Sequence, residues 1–331
     1  MWFESLTGFH EQSPEQVRNN ISVDGEVMKS YVNGKEFING ILEIPSLAEL
    51  RNRVHSSEIQ AEELSVREVI ANVQHLHASE SNAGSLFQVA SQFNLLEMVS
   101  PDVTPENGVG GYENDLTQGP ACAVAAGAGT IYRNYFADVN GLKGQSVDNQ
   151  IDCLIDIGEA LGNTDNRLWV MRNGYALATE KGLIEITNRL KSASESEVDE
   201  LRRLLRIGIQ WNTEVTIVDP RHTVSQAYCS ALPVAYSHHS SELWSEFAQL
   251  ILEASYEASF CAGILNYLQN GNNTLYLTFI GGGAFGNKIE WIINAIHRSL
   301  NLYKHVGLDV AIVSYGHSNE YIQELIKKFS N

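Results

Sequence analysis

The chain has 331 residues, 44% of them hydrophobic and 19% charged, the balance of a folded protein long enough for one elaborated domain or two. A formal net charge of −18 repels phosphate backbones and anionic bilayers, which argues against nucleic acid or membrane as a partner. A nucleotide-sized ligand held by local backbone amides stays compatible with that charge.

Cys122, Cys153, Cys229 and Cys261 show no C-x-x-C spacing and read as buried small hydrophobes in a reducing compartment. The opening MWFESLTGFHEQSPEQ has neither a basic n-region nor an apolar h-region, so a cytoplasmic location is expected. Residues 1–80 read as an N-terminal extension packed on the core. NGKEFINGILEI suggests short strands with turns at Asn33-Gly34 and Asn39-Gly40, and residues 47–54 a short helix. Residues 61–76 predict a second helix, because Val66, Val69, Ile70 and Val73 share a helical face. His75 and His77 have no acidic or cysteine partner at ligand spacing and read as ordinary helix-end residues.

The catalytic domain is expected over residues 81–331, with an insertion at about 138–220. LFQVASQFNLL, residues 86–96, predicts a buried strand and a turn presenting Gln92, Phe93 and Asn94. GVGGYENDLTQG, residues 108–119, is a glycine-rich polar loop carrying Glu113 and Asp115. Pro120 then opens a small-residue helix over residues 121–128 that runs on into IYRNYF, with Thr117 or Gln118 as its cap. The start of that helix is an anion site facing the loop.

Within the insertion, residues 151–161 suit an amphipathic helix, LWVMRNGYALAT a strand pair, and residues 194–206 a charged helix. Residues 207–211 and 214–218 read as two strands, VSQAYCSALPVAY as another, and residues 244–268 as a long helix with His238 and His239 exposed in its entry loop.

The most informative stretch is TLYLTFIGGGAFG, residues 274–286, an apolar strand delivering the chain into GGGAFGN at the mouth of a helix. Ile289, Trp291, Ile292, Ala295, Ile296 and Leu300 mark the apolar face of that helix. Glycines without a Cβ let main-chain N–H groups approach an anion, so the stretch reads as a phosphate cradle. Gly281, Gly283 and Gly286 also satisfy G-x-G-x-x-G, but the next strand ends in Tyr315, Gly316 and His317 with no ribose-binding acid, unlike a dinucleotide fold. No Gly-Lys-Ser/Thr follows, which excludes a P-loop.

Together GGGAFGN, the helix after it and DVAIVSYG resemble the C-terminal half of macrodomains, closest to the poly(ADP-ribose) glycohydrolase branch. FQVASQFNLLEM with GVGGYENDLTQGPACAVAAGAGTIYRNYF resembles more closely a macrodomain group that includes a bacterial effector removing ADP-ribose from arginine of ubiquitin. The resemblance implies an α/β fold of the macrodomain-like three-layer α/β/α kind with a central mixed sheet, elaborated by the extension and a large α+β insertion. It implies an ADP-ribosylhydrolase acting on ADP-ribose or ADP-ribosylated protein, with no metal and no cofactor.

Carried over by position, Gly281, Gly282, Gly283, Ala284, Phe285, Gly286 and Asn287 would hold the diphosphate and Tyr315 would stack on adenine. Asn94 would lie near the distal ribose, with Gln92, Tyr112, Thr117, Gln118 and Gly119 also against substrate. Asp115 would activate water or protonate the leaving group, and Glu113 would steady the positive charge that develops at C1″. The paired glutamates after a glutamine that mark the glycohydrolases are absent, which points away from poly(ADP-ribose) chains. Two other readings fit the same residues: a module that binds ADP-ribose without cutting it, and a hydrolase of a free NAD-derived nucleotide.

Overall fold

The computed structural model describes residues 1–329. The central sheet is mixed and has strands β1 (Ile41–Glu43), β2 (Ser65–Ile70), β3 (Leu86–Ala90), β4 (Gly208–Glu214), β5 (Thr223–Cys229), β6 (Thr274–Leu277) and β7 (Asp309–Ser314) in the order β1-β4-β5-β3-β6-β7-β2. From β5 to β2 all neighbours are parallel, while β4 runs antiparallel to both β1 and β5. The middle strands are almost wholly buried, β3 with Leu86, Phe87 and Val89 and β6 with Leu275 and Leu277, as parallel strands covered on both faces must be.

Helices α1 (Trp2–Thr7), α2 (Val73–Ala78), α3 (Gln118–Ala125), α4 (Gly127–Tyr135), α5 (Ser241–Asn270) and α6 (Ile289–Leu302) position the site. Side-chain alternation along the strands assigns their faces. Gln88 of β3 and Cys229 of β5 meet Ser259 of α5, whereas Phe87 of β3 and Gln226 of β5 meet His77 of α2 on the other face. Gln226 also donates to the Cys122 carbonyl, which seats α3 on that second face. Glu257, buried on α5, accepts from Arg51 and Arg298, and Asp199 accepts from Arg51, so four helical segments are locked in register.

Several expectations change. Residues 65–70 are a strand, not part of a helix, and α2 begins only at Val73 behind the Asn72 cap. Val66, Val69 and Ile70 are β-branched, and an open edge of β7 was available to pair with them. The segment read as an extension thus supplies both outer strands of the sheet, β1 and β2. Likewise the 138–220 stretch contains β4, one strand rather than two, bulged between Gln210 and Thr213 where Asn212 takes φ 52°. The four cysteines are buried thiols. No helix among the described residues is long and apolar enough to cross a membrane.

Candidate active site

Ligands of open α/β sheets collect beyond the carboxyl ends of the parallel strands. Here the segments leaving β3, β5 and β6 meet the turn before α3 around a cleft of about 220 Å³. Both stretches singled out in the sequence open onto it: Asp115, Thr117, Gln118 and Gly119 from the first, Gly281, Gly283, Ala284 and Phe285 from the second.

The glycine segment is a free-standing loop rather than the first turn of a helix, since β6 stops at Leu277 and α6 starts only at Ile289. Beyond Leu277 the Tyr256 hydroxyl of α5 takes over from the ladder, donating to the Thr278 carbonyl (2.6 Å) and accepting from the Ile280 N–H (3.0 Å). The loop then closes on itself, with Gly282 N–H to Phe279, Gly286 N–H to Gly283 and Asn287 N–H to Gly281. Gly281 and Gly286 both take φ 70°, and a Cβ there would lie 2.4 Å from that of Ala231 and 2.8 Å from that of Ala235 respectively. Those two glycines serve the loop's own shape.

Gly283 differs, because a Cβ on it would meet nothing within 4 Å. Its N–H and those of Ala284 and Phe285 have no acceptor among the described residues. Successive unpartnered N–H groups on residues that line a cleft are free to donate to an anion. Gly282, Gly286 and Asn287 stand outside the cleft lining. The Asn287 side chain instead staples the loop by donating to the Leu232 carbonyl (2.9 Å).

Asp115 lies on the cleft wall half-buried, its Oδ1 accepting from the Thr117 N–H (2.9 Å) at the entry to α3. Glu113 does not join it: its exposed carboxylate accepts from the Trp2 N–H (2.7 Å) and is absent from the lining. The second carboxyl of the cleft is Glu97, only 3% exposed, with no hydrogen-bond partner for Oε1 among the described residues. Burial pushes this carboxyl up to about 8 against the pull of the Arg133 guanidinium, and the charge of Asp115 adds to the rise. Glu97 is therefore neutral at pH 7 and can give up a proton. A Cβ on Gly119 would sit 2.0 Å from the Ala90 carbonyl oxygen and 2.4 Å from Glu97 Oε2, so that glycine lets the helix start close on the end of β3 and leaves room for the acid.

Arg133, fully buried on α4, donates to the Leu95 carbonyl (3.1 Å) and stacks its guanidinium 3.7 Å from the centre of the Tyr228 ring. Gln92 lines the cleft, but its Oε1 is committed to the Met98 N–H (2.7 Å). Asn94 is buried outside it, bonded to Gln150 and to the Leu96 N–H. Tyr112 is buried behind the lining and its hydroxyl accepts from the Glu97 N–H (3.0 Å). The Gln118 side chain extends the ladder of β3, accepting from the Ala90 N–H and donating to the Gln88 carbonyl. Asn94, Tyr112 and Gln118 thus build the walls instead of reaching for a ligand with their side chains.

The other wall is aromatic. Tyr175 from the 138–220 stretch, Tyr236 and Phe285 cluster at centroid distances of 5.1 to 5.6 Å, and the Tyr175 hydroxyl donates to the Met98 carbonyl (2.6 Å). Neither tyrosine was marked in the sequence, where each sits in an ordinary apolar run. Tyr315 is not in the cleft; it stands 79% exposed just past β7, the strand beside β6. Among the described residues no three His, Cys, Asp or Glu side chains are grouped to hold a metal, and His77 is buried against Phe87.

No family model and no curated relative matches the sequence. Among solved structures the chain is similar to the poly(ADP-ribose) glycohydrolase of Thermomonospora curvata, at 9% identity over 95% of each chain with a TM-score of 0.46, and to the same enzyme bound to the inhibitor ADP-HPD, at 10% identity over 95% of each chain with a TM-score of 0.45. It is similar also to the poly(ADP-ribose) glycohydrolase of Deinococcus radiodurans in complex with ADP-ribose, at 9% identity over 87% of this chain and 93% of that one, with a TM-score of 0.44. At that identity no side-chain role is carried from those enzymes to this chain.

Proposed function

We propose that the chain is an ADP-ribosylhydrolase with a macrodomain-like three-layer catalytic domain, cleaving the C1″ glycosidic bond of mono-ADP-ribosylated protein. The observation that carries this reading is one cleft lined both by the unpartnered N–H groups of Gly283, Ala284 and Phe285 and by two carboxyls, Glu97 and Asp115.

In this scheme the diphosphate seats on the three N–H groups, which fixes the distal ribose against the acids. Glu97 gives its proton to the leaving atom as the C1″ bond breaks and its electron pair departs with the leaving group. Asp115 takes a proton from water, whose oxygen adds to C1″, and its negative charge stabilises the oxocarbenium-like transition state. Exchange with solvent returns both carboxyls to their starting states. Tyr315, on the neighbouring strand end, offers the adenine a stacking face.

The cleft lining contains the Asp115 carboxylate and no lysine, arginine or histidine to balance it, so a cationic acceptor side chain is favoured there and arginine is the acceptor residue we assign. Calorimetric titration with ADP-ribose together with hydrolysis of ADP-ribosyl-arginine protein tests the reading. Binding with release of ADP-ribose supports it; binding without release leaves a reader module, and no binding removes the proposal.

A further inference from the structure

The glycines of GVGG look like a ligand-binding turn, yet the anion they hold belongs to the protein. The Glu11 carboxylate accepts from the Val109 N–H (3.1 Å), the Gly110 N–H (2.6 Å) and the Tyr135 hydroxyl (2.6 Å). A Cβ on Gly108 or Gly110 would lie 2.5 or 2.8 Å from Glu11 Oε2, and Gly108 also takes φ 82°, so the turn's own shape and this internal partner together account for both glycines. Trp2 adds to the clamp, its N–H on Glu113 and its indole N–H on the Val109 carbonyl (3.3 Å).

The clamped turn, Gly110–Asn114, holds both cleft acids through one residue. Tyr112 donates its N–H to the Val109 carbonyl, accepts the Asp115 N–H on its own carbonyl (3.1 Å), and receives the Glu97 N–H on its hydroxyl (3.0 Å). A continuous path of hydrogen bonds therefore runs from Glu11 through Tyr112 to Asp115 and to Glu97. The glycine loop that would bind the diphosphate follows β6 and has no part in it.

Building on the hydrolase reading above, we infer that Glu11 is a positioning residue: it organises the turn that sets both carboxyls and leaves ligand binding to the glycine loop. The N-terminal segment is on this account part of the catalytic apparatus, although none of it reaches the cleft. Displacing the Glu11 carboxylate releases three donors and lets the turn wander, and a misplacement of about 1 Å costs on the order of 10²-fold in rate.

The test compares wild-type protein with Glu11→Ala, measuring kcat on ADP-ribosyl-arginine protein and the Kd of ADP-ribose. The expected result is a kcat at least tenfold lower with Kd within threefold, partly restored by 50 mM formate, which can refill the vacated carboxylate site. If Glu11→Ala does not fold, Glu11→Gln replaces it, keeping one acceptor, with the same split expected at smaller size. A wild-type kcat, or a Kd weakened in step with kcat, overturns the inference. An inactive wild-type protein removes the hydrolase reading instead.

Discussion

Glu97→Gln separates the chemistry of the buried acid from its packing, because the amide copies the shape of the neutral, protonated carboxyl but cannot ionise. In the folded protein Glu97 keeps its proton up to about pH 8, while in the unfolded chain it releases it near the ordinary value of 4.5. Between those values the native state binds the proton that the unfolded state has lost, so stability falls as pH rises. It levels off above about 8. A rise from 4.5 to about 8, at about 1.4 kcal/mol per pKa unit, amounts to roughly 5 kcal/mol across the window. Urea denaturation at pH 5, 6.5 and 8.5 should thus show the Gln variant gaining on wild type at each step. At the same time kcat on ADP-ribosyl-arginine protein should drop about 10²-fold or more, the usual scale of general-acid help. Its fall in the wild type above pH 8 should vanish from the variant. Parallel stability curves for the two proteins would refute the neutral buried acid, and an unchanged kcat would refute its role.

Gly283→Val should leave the melting temperature near that of wild type, because a Cβ there meets no protein atom, yet abolish ADP-ribose binding in calorimetry. Retained affinity would mean that the diphosphate lies elsewhere. Asp115→Ala should cut hydrolysis about 10²-fold or more with ADP-ribose affinity within a few-fold, as expected for a group acting on the reacting atoms; full turnover removes its assigned role. Glu113→Gln, which keeps an acceptor for the Trp2 N–H outside the cleft, should leave kcat within about threefold, and a loss like that of Asp115→Ala would restore Glu113 to the catalytic pair.

The parts of the site carried by local chemistry were legible in the chain. An apolar run entering GGGAFGN and a polar glycine loop entering a proline-led helix each predict backbone donors, and both stretches do open on one cleft. What stayed hidden depends on contacts between distant segments. Glu113 and Asp115 are two residues apart on the same loop, and only the arrival of Trp2 decides that Glu113 turns away. Glu97 sits in FNLLEM, where its one signal is a lone acid within an apolar run. The meaning of such an acid appears only with its 3% exposure and its place on the cleft wall. Glycine is ambiguous in the same way: Gly283 faces an open cleft, Gly119 accommodates the Ala90 carbonyl and Glu97, and Gly110 accommodates Glu11. The 65–70 segment is ambiguous in the sequence because Val66, Val69 and Ile70 satisfy a helical face as well as a strand, and pairing with β7 settles the matter.

A crystal structure of the protein with ADP-ribose tests the central claim most directly. The account requires diphosphate oxygens within hydrogen-bond distance of the Gly283, Ala284 and Phe285 N–H groups, with C1″ beside Glu97 and Asp115. A diphosphate bound away from that loop, or a distal ribose pointing away from both acids, would contradict it.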